Sequence, residues 1–250
     1  MTDLEIIGEG ATTKVYRDGN KAIKLYVNAP PNEVENEAKL QSYAVELGLP
    51  VPAVLGIRKL DESLAALDME YIPGKPLLHE KMNKDERRIA IQTLAKLQCV
   101  VHTKKACGLP KQHDKITWKI ECNSYIGSSV KDRLFSLLES FDTSLDNLCH
   151  GDFHPLNILF DGQKHWIIDW VDATAGNPLA DACRTYIIFK QYMLRASGIY
   201  LQYFCEESGA SKSEVLAWLP IIAAARMAEN MDDRARGVLI EILDQWEKEK

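Results

Sequence analysis

Apolar and polar positions alternate with a period of two through much of residues 4–72, the pattern of half-buried strands. Leu4 to Ile7 is a short apolar run, and Lys14 to Arg17 alternates. Asp18-Gly19-Asn20 is a turn signal, after which Lys21 to Val27 resumes the alternation. Beyond Pro30-Pro31 the period lengthens. Val34, Ala38, Leu40, Tyr43 and Leu47 fall on a helical spacing that Gly48 and Pro50 end. Val54 to Leu60 and Leu64 to Ile72 then read as two more strands, split by Asp61-Glu62-Ser63. The pattern predicts a small antiparallel sheet with one helix.

After Pro73-Gly74 helical spacing dominates, over Asp85 to His102, Val130 to Phe141, Pro178 to Arg195, and Ser213 to the C-terminus. One β-like hairpin interrupts it, Ile158-Leu159-Phe160 and Trp166-Ile167-Ile168 around the turn Asp161-Gly162. The expected fold class is α+β, with a sheet lobe at residues 1–72 and a mainly helical lobe at residues 73–250. Tyr71 to Lys75 would join the lobes and leave a cleft of the kind ligands favour.

Composition narrows the classes. The 250 residues are 46% hydrophobic and 26% charged, ordinary for a globular chain with a sizeable core. The net charge is -6 and no basic run exceeds a pair, which argues against a nucleic-acid partner. No stretch is long and apolar enough for a bilayer span, and the first residues lack a signal-peptide pattern, so the cytoplasm is the default location. The six cysteines form no C-x-x-C pair and are expected to be reduced thiols, mostly buried. Nothing in the sequence sets an oligomeric state.

The strongest chemical signal is His150-Gly151-Asp152-Phe153-His154-Pro155-Leu156-Asn157, a carboxylate and an amide five residues apart on an expected loop. Asp169 follows at the end of the hairpin's second strand. Phosphoryl transfer needs such a trio: one carboxylate to orient and deprotonate the attacking hydroxyl, and an amide oxygen and second carboxylate to hold Mg²⁺ on the phosphates.

This segment resembles the catalytic loop of the aminoglycoside phosphotransferase and choline kinase family, a branch of the protein-kinase-like fold. The resemblance implies Asp152 as catalytic base, Asn157 and Asp169 as metal ligands, and ATP and Mg²⁺ as cofactors. Gly176-Asn177-Pro178-Leu179-Ala180-Asp181 also resembles the family, with Asp181 expected to support the loop. Ala22-Ile23-Lys24 resembles the kinase strand whose lysine meets the α- and β-phosphates, and Glu37 would hold Lys24 in place. Glu33 and Glu35 compete for that role. Gly8-Glu9-Gly10 lies where kinases place a glycine-rich loop, though Thr13 stands for its third glycine. Met69-Glu70-Tyr71-Ile72 matches the hinge. There the Glu70 carbonyl and Ile72 N–H would bond adenine, with Met69 behind it and Val15, Ala22, Leu159 and Ile168 around the ring.

His150 and His154 are expected to brace the loop, and His102 to pack on its helix. Residues 170–177 are too few for the peptide platform of a protein kinase, which favours a hydroxyl on a small molecule, and the family resemblance implies an aminoglycoside, choline, amino-sugar or amino-alcohol type of acceptor. A nucleotide-binding pseudokinase and an atypical protein kinase are the alternatives. Glu229, Asp232 and Asp233 are spaced to share one helix face, which would suit a cationic acceptor. The competing reading is a solvated acidic face neutralised by Arg226, Arg234 and Arg236.

Overall fold

The computed structural model describes residues 4–9, 13–28, 32–61 and 63–248. In chain order they form β1 (Glu5–Glu9), β2 (Thr13–Asp18), β3 (Lys21–Val27), α1 (Glu33–Glu46), β4 (Val54–Lys59), β5 (Leu64–Glu70) and β6 (Lys75–Pro76). Next come α2 (Lys84–His102), α3 (Gln112–Cys122), α4 (Ser128–Leu138), β7 (Asn147–Cys149) and a 3-10 turn at Pro155–Asn157. The chain continues through β8 (Ile158–Phe160), β9 (His165–Ile167), β10 (Thr174–Gly176) and α5 (Pro178–Tyr192). It ends with α6 (Leu194–Ser208), α7 (Lys212–Leu216), α8 (Leu219–Met227) and α9 (Asp233–Lys248).

Contacts divide the chain into two compact units. One holds the residues up to His79 with Leu156–Val171, the other Glu80–Pro155 with the residues from Asp172 onward. Sequence pattern alone drew a single boundary at residues 72/73. The difference is the hairpin β8–β9, whose backbone bonds run to N-terminal residues. Lys75 and Pro76 pair with Phe160 and Leu159, and Ile167 N–H donates to Pro50 O at 2.8 Å. Pairing between distant strands leaves no local trace for a periodicity to detect.

In the first unit an antiparallel sheet runs β1-β2-β3-β5-β4. Ala22, Tyr26, Leu67 and Met69 of its central strands pack with Val34 and Ala38 of α1 into one cluster. Helix α1 buries Val34, Glu37, Ala38, Leu40, Gln41 and Ala44. A carboxylate on such a face needs a partner.

In the second unit, α2 starts with a reciprocal capping box between Asn83 and Glu86, and Asn177 caps α5 ahead of Pro178. The long helices expected from the pattern are broken. Pro178 to Arg195 ends at Tyr192, and α6 follows. The C-terminal helix divides into α7, α8 and α9, because Pro220 lacks an N–H and fits only a first helical turn. A second break between α8 and α9 overturns the shared face of Glu229, Asp232 and Asp233. Glu229 lies outside both helices, and Asp232 Oδ1 accepts from Ala235 N–H at 2.7 Å. Of the six cysteines, only Cys149 and Cys183 are buried, while Cys107 and Cys122 are exposed. Among the described residues no helix is long and apolar enough to cross a membrane.

Candidate active site

Within the first unit, Lys24 is the organising charge. Period two places Lys24 and Tyr26 on one face of β3, turned toward α1. Lys24 Nζ lies 2.7 Å and 3.0 Å from the Glu37 oxygens and 2.9 Å from Asp169 Oδ1. The Tyr26 hydroxyl donates to Glu37 Oε2. Lys24 is 9% exposed and Glu37 is 1% exposed, so each depends on the other for neutralisation. Burial alone would lower the Lys24 pKa, but Asp169 and Glu37 together raise it above the usual lysine value. Its charge is therefore fixed. Glu33 and Glu35 stay out of this cluster, with Glu35 exposed.

Asp169 adopts φ +65, in the left-handed region that asparagine and aspartate tolerate best. Its neighbour Ile168 donates N–H to Asn157 O at 2.9 Å, which ties the backbones of Asn157 and Asp169 together. Asn157 is buried. The two residues offer amide and carboxylate oxygens, a donor set that fits a hard divalent cation such as Mg²⁺.

The expected adenine-site residues fall in the same unit. Ala22 pairs with Met69 across β3 and β5, and Val15 packs on that cluster. Glu70 ends β5, bonding Ala53 O through its N–H, and Ile72 O accepts from Gly74 N–H. Leu159 and Ile168 are half-buried. Gly8 sits inside β1, opposite Val15, at a register shift between Ile6 and Gly8. Gly10 lies outside the described residues.

In the second unit, the loop bearing Asp152 is pinned from behind by Asp181. Gly151 has φ +82, a conformation natural to glycine, and its N–H donates to Asp181 Oδ1 at 2.8 Å. Asp181 Oδ2 accepts from the Gln98 amide at 3.1 Å and lies 2.9 Å from His102 Nε2. His102 thus does more than pack on its helix. Thr185, one helical turn beyond Asp181, donates its hydroxyl to Phe153 O at 2.9 Å. His150 Nδ1 accepts from Asp152 N–H, and His154 Nε2 lies 3.1 Å from Asp152 Oδ2, so both histidines brace the loop.

Arg184, unremarked in the sequence, is the loop's main electrostatic partner. Its Nη2 lies 3.5 Å from Asp152 Oδ1. Burial would raise the Asp152 pKa, but the His154 hydrogen bond and the Arg184 charge outweigh it and hold the carboxyl well below the usual range. Arg184 also forks onto Glu229, at 2.6 Å and 3.1 Å. Glu229 further receives Lys119 at 2.5 Å and Arg226 at 2.9 Å. Against its burial, these three cations hold Glu229 at about 2. Asp172, paired with Lys115 and 4.0 Å from Arg184, is likewise held at about 2 against the effect of burial. The available signal for Arg184 was its place three residues after Asp181, on the same turn of α5.

The profile of the phosphotransferase enzyme family matches residues 3–218. An aminoglycoside 3'-phosphotransferase from Streptomyces ribosidificus is 26% identical, over 78% of this chain and 84% of that protein. A solved thermostable mutant of aminoglycoside phosphotransferase APH(4)-Ia, in ternary complex with ADP and hygromycin B, aligns with TM-score 0.73 at 19% identity. That alignment covers 97% of this chain and 94% of the other. Amicoumacin kinase hAmiN, in complex with AMP-PNP and Ca²⁺, aligns with TM-score 0.68 at 12% identity, over 99% and 88% of the two chains. The fold is shared across these proteins.

Proposed function

This chain belongs to the phosphotransferase enzyme family and is a small-molecule kinase, and we propose that it moves the γ-phosphoryl group of ATP to an acceptor hydroxyl with Asp152 as base. The observation that carries this reading is the convergence of Lys24, Glu37 and Asp169, residues from three separate segments, on one buried charge. A surface lysine would gain little from two carboxylates. A lysine held charged and rigid beside an oxygen donor set suits a polyphosphate.

Lys24 would bind the α- and β-phosphates, held in place by Glu37. The Glu70 carbonyl and Ile72 N–H would bond the adenine edge with Met69 behind it. Val15, Ala22, Leu159 and Ile168 would flank the ring, and Gly8 and Gly10 would let backbone N–H groups approach phosphate oxygens. Asn157 and Asp169 would hold Mg²⁺, whose chemistry when bound is to neutralise charge on the phosphate oxygens.

Asp152, ionised at neutral pH, accepts a hydrogen bond from the acceptor hydroxyl and orients its oxygen. As that oxygen bonds to the γ-phosphorus, the bridging O–P bond breaks and its electron pair leaves with ADP. The hydroxyl proton passes to Asp152. A carboxylate with so low a pKa is a weak base, so this transfer comes late and orientation is the larger contribution.

ADP release from MgATP, measured over a panel of aminoglycosides, amino-alcohols, sugars, nucleosides and hydroxy acids, tests the reading. It expects acceptor-dependent release by the wild type. Release that no panel member stimulates, together with Mg²⁺-independent ATP affinity, favours the pseudokinase.

A further inference from the structure

Beside Gly151 the second unit has a small, part-open pocket of about 50 Å³, whose lining includes Lys115, Lys119 and Arg184. That is room for one small anionic group of a ligand, with the rest of the molecule outside the pocket. Ile116, Ile222 and Ala225 supply apolar wall, which lowers the local dielectric and sharpens every charge.

Three cations, Lys115, Lys119 and Arg184, line the pocket against two lining carboxylates, Asp172 and Asp181. Lys115, Lys119, Arg184 and Arg226 face Asp152, Asp172 and Glu229. Asp181 also lines the pocket, but its oxygens are engaged by Gly151, Gln98 and His102. Donors exceed acceptors as well. An ammonium has three N–H groups, and among the described residues Lys119 Nζ donates to Glu229 Oε1. Arg184 Nε is buried with no acceptor among the described residues. A donor so placed costs stability until something accepts from it. Burial, and then the nearby Arg184 charge, lower the Lys119 pKa, as expected where Glu229 does not fully offset its neighbours.

We infer that the acceptor carries an anionic oxygen group, a carboxylate or a phosphate, which seats against Lys115, Lys119 and Arg184 while its hydroxyl meets Asp152. This rests on the reading of Asp152 as base and deepens it by naming the acceptor's charge. The cationic acceptor suggested by Glu229, Asp232 and Asp233 loses its footing, because Glu229 already holds three cations.

Calorimetry on the nucleotide-free full chain tests the inference apart from turnover, with inorganic phosphate, glycerate, glycerol and choline as probes. Phosphate and glycerate are expected to bind, the tighter of the two identifying the anion, and glycerol and choline to bind far more weakly. Lys119→Gln and Lys115→Gln should each weaken anion binding by about tenfold, the loss of one charge-assisted bond. Their ADP affinity should stay at the wild-type value, and unchanged circular dichroism and thermal melts should report an intact fold. Choline binding as tightly as the anions, anion affinity unchanged in both variants, or no anion binding at all would each overturn it. Anion binding as expected with no ADP release for any acceptor would defeat the kinase reading instead.

Discussion

Arg184 Nη2 lies 3.5 Å from Asp152 Oδ1, and the same guanidinium forks onto Glu229 at 2.6 Å and 3.1 Å. The proposed base is therefore set in a charge network that reaches from α5 to the segment after α8. If Asp152 is the base, Arg184 would act on the chemistry through it, favouring its charged form.

The pH dependence of turnover should carry that signature. Asp152, its pKa depressed, keeps its charge as pH falls through the ordinary carboxylate range, so kcat should lose nothing to Asp152 until well below pH 4. Arg184→Gln removes the charge and leaves Glu229 with Lys119 and Arg226. The acidic limb of kcat should then move up by about one pH unit or more. An unmoved limb with an unchanged kcat would assign Arg184 to the fold alone.

Lys24 supplies a second test, with separate readouts for binding and stability. Lys24→Ala should weaken ATP binding much more than adenosine binding. It should also lower unfolding stability on the order of 3 kcal/mol, because Glu37 is left buried without its cation. Asp169→Ala should abolish the tightening of ATP binding by Mg²⁺. Titration calorimetry with and without Mg²⁺, beside thermal melts, separates these effects.

Gly151 probes the loop without removing a charged side chain. A Cβ there would lie 2.8 Å from Asp172 Cβ and closer still to the Asp172 carbonyl oxygen, at φ +82. Gly151→Ala should cost about 1–3 kcal/mol and lower kcat as Asp152 shifts, with ADP affinity intact. Equal stability and equal kcat in the variant would show that the loop tolerates another conformation.

The parts of this site legible in the sequence were those whose logic is local. Lys24 stood in a short alternating strand that resembles a kinase motif, and the same resemblance favoured Glu37 as its partner over Glu33 and Glu35. Asp152 and Asn157 stood in one continuous motif. Elements with little pattern were lost. Helix α3 buries only Ile116 and Ile120, too sparse a stripe to read, and β7 and β10 have three residues each, too few to show a period. Helix α6 did carry a pattern, since Ser197, Tyr200, Leu201 and Phe204 are its buried face, but Ser197 and Gly198 obscured it. Arg184 was missed for another reason. An arginine on a helix reads as solvent-facing until the packing shows which carboxylates surround it.

The measurement closest to the central claim is the turnover of Asp152→Asn with an acceptor that the wild type phosphorylates. The amide keeps the shape of the side chain and removes the group that takes the proton. The account predicts a kcat lower by about 10²-fold or more, with ATP affinity nearly unchanged, since the residues proposed to bind nucleotide belong to the other unit. Turnover near the wild-type rate would contradict it and return the role of base to another group.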